Sequence, residues 1–170
     1  IINTAAMTNV DGCEDHKDLC ELLNVTAVGH LKSAAKEAGA HLIHFSTDFI
    51  FDGEQGNYSE EDIPNPLSIY GESKLDSEKL LLDGQYDKIT IIRTIVVYGQ
   101  GYQLTNGNIF EWAREKLLNG EPLTIVNDQY RAPTYAPDLA KATLELAKQK
   151  EYGVFHVAGP ETLNIYQIIK

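Results

Sequence analysis

The stretch KITIIRTIVVYG, residues 88–99, carries the strongest indication of the fold. β-Branched and apolar residues follow one another in it, without the polar alternation of a strand that has one face in water. Strands of this kind are buried on both faces, as they are in parallel sheets covered by helices. We therefore predict one long strand here, inside a parallel sheet.

Helical and strand-like segments alternate on either side of this strand. Residues 17–38 carry an apolar stripe at helical spacing, and Gly39 follows as a common helix terminator. The other predicted helices cover residues 70–83, 108–119 and 137–149, and the other predicted strands cover residues 1–5, 41–46, 123–126 and 153–159. This alternation predicts an α/β fold: a Rossmann-like, doubly wound parallel sheet with helices on both faces.

The net charge, the apolar runs and the cysteines exclude several classes of function. With 25 acidic and 14 basic residues, the net charge is -11, and such a surface repels nucleic-acid phosphates. No apolar run approaches the roughly 20 residues that span a bilayer, and no signal peptide is visible. Cys13 and Cys20 fit neither a zinc site nor a disulfide scaffold. We expect a reduced, cytoplasmic protein with no nucleic-acid or membrane partner.

The histidines and the acidic loop do not indicate a metal site. No two of the five histidines stand at ligand spacing on one face, and we predict no metal ligands. His44 lies on a predicted buried strand, where a hydrogen-bonded core histidine is expected. The acidic loop over residues 52–62 lacks the spacing of a calcium loop, and we expect it to solvate the rim of a site.

Tyr70 and Lys74 stand four residues apart in LSIYGESKLDSEKLL, residues 67–81, and therefore share one face of the predicted helix. A neighbouring ammonium lowers the pKa of a phenol, which is normally about 10. Such a tyrosine can give a proton to a carbonyl oxygen while a hydride reaches the carbon. The alternative is a solvated helix with a half-buried aromatic residue.

Thr47 follows the strand predicted over residues 41–46, where a parallel sheet presents its ligands. Its hydroxyl is placed to hold a substrate carbonyl. The commoner role for a hydroxyl at the end of a strand is to cap the nearby backbone.

Six segments in a fixed order extend this interpretation. They are NTAAMTNVD, FSTDFIFDG, PLSIYGESKLDSEKLL, IIRTIVVYG, NDQYRAPTYAPDLA and GVFHVAG. Together they resemble the extended short-chain dehydrogenase/reductases, and most closely the dTDP-4-dehydrorhamnose reductase family, over nearly the whole chain. STDFIFDG followed by YGESK is the most specific part. The resemblance implies reduction of the keto group of a nucleotide-activated deoxysugar by NADPH or NADH, in dTDP-rhamnose and cell wall polysaccharide biosynthesis.

The same resemblance implies the catalytic residues. Thr47, Tyr70 and Lys74 take the positions of the family's Ser/Thr, Tyr and Lys triad. Tyr70 is then the proton donor, and Lys74 lowers its pKa and holds the nicotinamide ribose.

Cofactor and substrate contacts follow in the same way. Tyr70, Lys74 and the segment Ala5, Ala6, Met7 and Thr8 correspond to the cofactor side. The substrate side corresponds to Val10, Thr47, Asp48, Val96 and Arg131. Arg131 suits a diphosphate, because its guanidinium is charged and planar, although a solvated loop charge is the alternative.

For Asn24, the sequence leaves two roles open. It matches a helix asparagine that supports the lysine in the wider superfamily. The alternative, which we weigh equally, is a surface helix residue.

The sequence departs from the family pattern in three places. The glycine-rich phosphate turn is missing, so the choice between NADH and NADPH stays open. Val96 stands where a tryptophan is common, and Met7 where a histidine or tyrosine is common. These two departures leave the identity of the sugar substrate open.

The domain prediction follows from the missing turn and the two chain ends. We expect a fragment without its N-terminal strand–helix–strand unit. Residues 1–100 then form the C-terminal part of a dinucleotide-binding domain. Residues 101–170 contribute to a small substrate-binding region and the last strands, within a single compact unit.

Several alternatives stay open. One is a nucleotide-sugar epimerase or dehydratase of the same extended family, and another is a Rossmann-like fragment of unknown use. A third is a non-catalytic regulatory subunit related to the methionine adenosyltransferase beta subunit. The resemblance also allows magnesium, for which the sequence offers no carboxylate cage, and a homodimer.

Overall fold

The computed structural model describes residues 1–100 and 109–170. The first residue of the helix predicted over residues 108–119, and the start of the segment predicted over residues 101–170, lie outside the described residues. The chain divides into two compact units. The first comprises Ile1–Arg93 and Thr143–His156, and the second comprises Thr94–Ala142 and Val157–Lys170. The domain boundary predicted after residue 100 stays a prediction.

Eight strands and seven α-helices occur in the described residues. The strands are β1 (Ile2–Asn3), β2 (Leu42–Thr47), β3 (Ile89–Thr94), β4 (Val97–Tyr98), β5 (Tyr130–Arg131), β6 (Thr134–Tyr135), β7 (Gly153–His156) and β8 (Leu163–Asn164). The helices are α1 (Val10–Asp15), α2 (Lys17–Glu21), α3 (Ala27–Ala38), α4 (Ile69–Leu81), α5 (Ile109–Leu118), α6 (Ala136–Gln149) and α7 (Ile165–Ile169). Not one of the helices described is long and apolar enough to cross a membrane.

A four-stranded sheet with the order β1-β2-β3-β7 organises the first unit. β1 runs parallel to β2, with Asn3 opposite His44, and β3 runs parallel to β7, with Ile91 opposite Val154. Strands that alternate with helices along the chain and pair in parallel confirm the predicted α/β fold. The carboxyl ends of β1 and β2 therefore lie side by side.

The core of the first unit lies between the helices and the sheet. It is formed by apolar side chains that are almost fully buried: Val28, Ala35, Leu42, Leu81, Ile89 and Ile91. The buried residues of β2 and β3 come from the apolar runs that predicted these strands. Burial of such side chains contributes about 1.5–3 kcal/mol each.

The helix predicted over residues 17–38 contains an unpredicted π-helical turn. α2 and α3 flank this turn, which covers Leu22–Thr26 and includes the buried Asn24. Gly39 ends α3 in the left-handed conformation, with φ of 62°, as predicted. A π turn changes the direction of the side chains that it contains, and such turns are common at functional sites.

The strand predicted over residues 88–99 is broken. β3 ends at Thr94, and β4 begins at Val97 and pairs with β6 in the second unit. Val96, between them, has φ of 39°, a left-handed conformation that is rare for a β-branched residue. Thr134 holds the break in place, since its Oγ1 donates to the Ile95 carbonyl and its N–H donates to the Val96 carbonyl.

The strand predicted over residues 123–126 is wrong. The segment has no regular structure, and Val126 is about half exposed. Apolar content alone predicted this strand, but a strand also needs a partner ladder. The described strands of the second unit pair elsewhere, as β4 with β6 and as β5 with β8.

Candidate active site

Thr47 closes β2 at the carboxyl edge of the sheet. Its Oγ1 accepts a hydrogen bond from Phe49 N at 3.2 Å and donates to Asp48 Oδ1 at 3.2 Å. The same hydroxyl caps the 3-10 turn Asp48–Ile50. The capping role foreseen as the commoner one is therefore present. It does not preclude a second role, because the Thr47 hydroxyl lies close enough to Tyr70 to act on the pKa of the phenol.

Tyr70 lies in the first turn of α4 and contacts the 3-10 turn that follows Thr47. Its ring stands edge-on to Phe49, with ring centroids 5.7 Å apart. Burial raises the pKa of Tyr70 above its usual value, and the carboxylate of Asp48 adds to this. The nearby Thr47 hydroxyl opposes the rise in the pKa of Tyr70 but does not cancel it. The phenol is therefore protonated at neutral pH.

Lys74 lies one helical turn after Tyr70 but is drawn into the interior. Only 2% of it is exposed, and its Nζ donates to the Phe45 carbonyl at 2.7 Å and lies 3.3 Å from His44 Nε2. Burial lowers the pKa of Lys74 to about 8. The predicted lowering of the Tyr70 pKa by Lys74 is not what this structure shows, because burial dominates at Tyr70.

His44 is the hydrogen-bonded core histidine that its buried strand predicted. Asn3 Nδ2 lies 3.0 Å from His44 Nδ1, and Ser77 Oγ lies 3.2 Å from His44 Nε2. Burial, assisted by the nearby Lys74 ammonium, lowers the pKa of His44 to about 3. The imidazole is therefore neutral throughout the physiological range.

Asn24 is buried, with 1% exposed, so the surface-residue alternative is wrong. Its Oδ1 accepts from Met7 N at 2.8 Å, and its Nδ2 donates to the Met7 carbonyl at 3.0 Å. The same Nδ2 reaches Ser73 Oγ at 3.0 Å, and Ser73 Oγ donates to the Tyr70 carbonyl at 2.8 Å. One amide thus fixes the Met7 segment and connects it to the first turn of α4.

Two buried thiols lie beneath this contact. Cys20 Sγ donates to Ser73 Oγ at 3.3 Å, and Cys13 Sγ donates to the Met7 carbonyl at 3.8 Å. Burial, followed by the contact with Cys20, raises the pKa of Cys13 to about 12. Both cysteines are free and fully buried. Their burial makes both of them packing groups in this structure, and the raised pKa of Cys13 makes that thiol a poor nucleophile.

The other predicted site residues fall into two groups. In the first unit, the segment from Ala5 to Thr8 follows β1, and Val10 begins α1. In the second unit, Val96 lies at the β3–β4 break, and Arg131 ends β5 with its Nη1 donating to the Tyr130 carbonyl at 2.8 Å. The structure thus brings Thr47, Asp48 and Tyr70 together in the first unit.

Sequence reasoning missed three polar residues of the first unit: Asn3, Ser73 and Ser77. The two serines of α4 follow Tyr70 by three and seven residues, so helical spacing places them on its face. Asn3 carried a signal as well, as a polar residue closing an apolar strand. What the sequence did not reveal is the register that sets Asn3 opposite His44.

Ser46 provides a test of whether a cofactor fits at this edge. Its Oγ is buried and, among the described residues, has no hydrogen-bond partner. Buried hydroxyls are normally paired, so this one marks a place for a further polar group. The small residues Ala5 and Ala6 follow the neighbouring strand β1. These features suit the nicotinamide end of a dinucleotide, whose glycine-rich phosphate turn this sequence does not contain.

Metal ligands are not grouped in the described part of the chain. No cluster of three or more His, Cys, Asp or Glu side chains suited to a metal ion occurs in residues 1–100 and 109–170.

Comparison with known proteins gives a family match over the whole chain. The model of a family described as RmlD substrate binding domain matches residues 1–170. A dTDP-4-dehydrorhamnose reductase of Salmonella typhimurium is 39% identical over 170 residues, which cover 95% of this chain and 55% of that protein. The methionine adenosyltransferase 2 subunit beta of Bos taurus is 34% identical over 173 residues, which cover 99% of this chain and 52% of that protein.

A solved structure matches the fold equally well. The crystal structure of dTDP-4-dehydrorhamnose reductase from Bacillus anthracis in complex with NADP has a TM-score of 0.92 and 30% identity. The match covers 99% of this chain and 59% of that one. The chain thus spans about half the length of the curated relatives that it matches.

Proposed function

The chain belongs to the RmlD substrate binding domain family, and on that premise we propose that the protein containing it is an NAD(P)H-dependent oxidoreductase. Its proposed substrate is the keto group of a nucleotide-activated deoxysugar. The resemblance to the extended reductases is confirmed by the family match and by the relatives at 30–39% identity. The activity and the substrate are proposals, because the chain spans only part of those relatives.

The observation that carries the proposal is the contact between Tyr70 and Thr47 at the carboxyl end of β2. A phenol that burial keeps protonated lies near a hydroxyl at the strand edge where α/β sheets bind ligands. Both groups can donate to one carbonyl oxygen. Tyr70 transfers its proton to that oxygen, and Thr47 orients it.

Thr47 has to exchange one partner to do this. Its hydrogen is donated to Asp48 Oδ1 in this structure, at the long distance of 3.2 Å. A substrate carbonyl that takes over this hydrogen lets Asp48 Oδ1 accept a hydrogen bond from a sugar hydroxyl in its place. The proposed substrate role of Asp48 therefore follows from the role of Thr47.

The cofactor side is held by the segment from Ala5 to Thr8, with Tyr70 and Lys74. When bound, a reduced nicotinamide supplies the hydride that the keto carbon accepts. Asn24 fixes the backbone of Met7 through two hydrogen bonds, so this segment is rigid before a ligand arrives. The choice between NADPH and NADH stays open, as does the exact sugar, to which Val10, Val96 and Arg131 are the proposed further contacts.

Turnover of the full-length protein tests the proposal. We expect oxidation of NADPH or NADH in the presence of dTDP-4-dehydrorhamnose, and a loss of about 10²–10⁴-fold in kcat for Tyr70→Phe. Tyr166→Phe, at an exposed tyrosine of the second unit, is the matched control and should keep full activity. Equal activity of Tyr70→Phe and the wild type would remove Tyr70 from the reaction.

A second function is favoured by one specific comparison. The methionine adenosyltransferase 2 subunit beta is as similar over this region as the reductases are. A regulatory subunit would bind a dinucleotide without turning over a keto-sugar. Titration against a methionine adenosyltransferase distinguishes the two functions: a change in that enzyme's activity, with no turnover of any nucleotide sugar, favours the regulatory one.

A further inference from the structure

The hydrogen bonds around Asn3 fix the proton position on His44. Asn3 Oδ1 accepts from Ala5 N at 3.1 Å, so the Asn3 amide is oriented with its Nδ2 toward His44 Nδ1, 3.0 Å away. An amide nitrogen can only donate. His44 Nδ1 must therefore be the acceptor, and the single proton of the neutral imidazole lies on Nε2.

Ser77 leads to the same tautomer independently. Its hydroxyl has one hydrogen, which it donates to the Lys74 carbonyl at 2.7 Å, because a carbonyl oxygen can only accept. The contact of 3.2 Å between Ser77 Oγ and His44 Nε2 then needs a hydrogen from the imidazole. Two neighbours on different elements, β1 and α4, thus demand a proton on Nε2.

This tautomer of His44 determines which neighbouring groups can accept a hydrogen bond from Lys74. The Lys74 ammonium lies 3.3 Å from a ring nitrogen that carries a hydrogen and cannot accept one. Its acceptor is the Phe45 carbonyl of β2. The other titratable groups that face it are Glu78 on α4, which favours its charge, and Cys20 on α2.

We propose that His44 is a positioning residue for Lys74: Asn3 and Ser77 keep a hydrogen on its Nε2, so this ring nitrogen cannot accept from the neighbouring ammonium, which disfavours that charge and leaves it one carbonyl partner. The proposal rests on the proposed function for the significance of Lys74, and on the hydrogen bonds alone for the mechanism. A lysine held this way is ready to exchange its one carbonyl partner for a ligand hydroxyl.

Asn3→Asp is the sharpest test, because it exchanges one amide nitrogen for an oxygen. The carboxylate can still accept from Ala5 N, but it cannot donate to His44 Nδ1. The imidazole proton then moves to Nδ1, and the bare Nε2 accepts a hydrogen bond from the Lys74 ammonium. Asn9→Asp is the matched control, since it adds the same charge at an exposed helix cap outside the network.

Two NMR readouts on the full-length protein report the result without turnover. Nitrogen-15 spectra of labelled histidine show which ring nitrogen of His44 carries the proton. Carbon-13 methylation of the lysines, with Lys74 identified by Lys74→Arg, gives the titration of Lys74. We expect a proton on Nε2 in the wild type, and in Asn3→Asp a proton on Nδ1 with the Lys74 pKa higher by about one unit or more.

Three outcomes decide the proposal. A wild-type spectrum with the His44 proton on Nδ1 overturns it, even if the variant does not fold. A tautomer change in Asn3→Asp with an unchanged Lys74 titration also overturns it, as does an equal Lys74 shift in Asn9→Asp. If turnover is absent while these signals appear as expected, the reductase function fails and the role of His44 stands.

Discussion

At the scale of the residue, Lys74 shows how burial changes the chemistry of a side chain. Its position on the helix face of Tyr70 was predictable from spacing alone. Its direction was not, because the ammonium donates to the Phe45 carbonyl in the interior, beside His44, and these contacts depend on the position of β2. The direction of the Asn24 side chain was not predictable either, because its amide contacts Met7 only as a result of the π turn that contains it.

A pH dependence of stability follows from the buried Lys74. Burial lowers its folded pKa to about 8, whereas an unfolded lysine titrates near pH ~10.4. Between these two values the unfolded chain binds more protons at this position than the folded chain. The contribution of Lys74 to the free energy of unfolding therefore rises with pH across this window.

Lys74→Met tests this contribution by urea unfolding at several pH values. The variant should lose the rise that Lys74 gives the wild type between about pH 8 and pH 10.4. Lys79→Met, at an exposed lysine of the same helix, should keep the wild-type slope. Parallel curves for the wild type and Lys74→Met would show that Lys74 is not buried as described.

At the scale of the element, the glycine of YGESK sets how closely α4 approaches the end of β2. A Cβ on Gly71 would lie 2.3 Å from the Phe49 carbonyl oxygen, which is backbone and cannot turn away. We expect Gly71→Ala to push Tyr70 away from Thr47 and to lower the free energy of unfolding by about 1–3 kcal/mol.

Urea unfolding measures this effect, and Gly29→Ala is the control. A Cβ on Gly29 meets Leu80 at the ordinary distance of 3.4 Å, so this substitution should be neutral or stabilise α3 by up to about 1 kcal/mol. If Gly71→Ala were as stable as Gly29→Ala, the close approach of α4 to Phe49 would not exist.

The helices and strands also show which structural features sequence patterns could not predict. The helices and the two buried strands β2 and β3 were predictable, because periodicity and β-branched runs reflect burial directly. The break at Val96 was not, because its left-handed backbone is imposed by hydrogen bonds from Thr134, a residue distant in the chain. The strand predicted over residues 123–126 was wrong for a related reason, since an apolar run does not determine which strand it would pair with.

At the scale of the whole molecule, a buried ion pair connects the layers of the first unit. Arg93 on β3 donates to Glu78 on α4, with 2.7 Å between Nη2 and Oε2, and both side chains are almost fully buried. The same guanidinium donates to the Glu60 carbonyl of the acidic loop and contacts His156 on β7. The acidic loop thus has a packing role beyond the solvated rim that was expected.

Glu78→Gln should unfold the first unit far more easily than an exposed substitution does. It leaves the Arg93 charge buried without a compensating carboxylate, which costs about 3–5 kcal/mol. Glu72→Gln, on the exposed face of the same helix, should change the free energy of unfolding by no more than about 0.5 kcal/mol. Chemical denaturation of both variants gives the comparison, and similar midpoints would contradict the importance of the pair.

Transfer of deuterium tests the proposed reductase function most directly. The full-length protein would be incubated with dTDP-4-dehydrorhamnose and NADPH that carries deuterium at the transferred position, and the sugar nucleotide would be analysed by mass spectrometry. We predict one deuterium in the reduced sugar with the wild type and almost none with Tyr70→Phe. A protein that binds NADPH but leaves every keto-sugar of a nucleotide-sugar panel unlabelled would contradict the reductase function and favour the regulatory one.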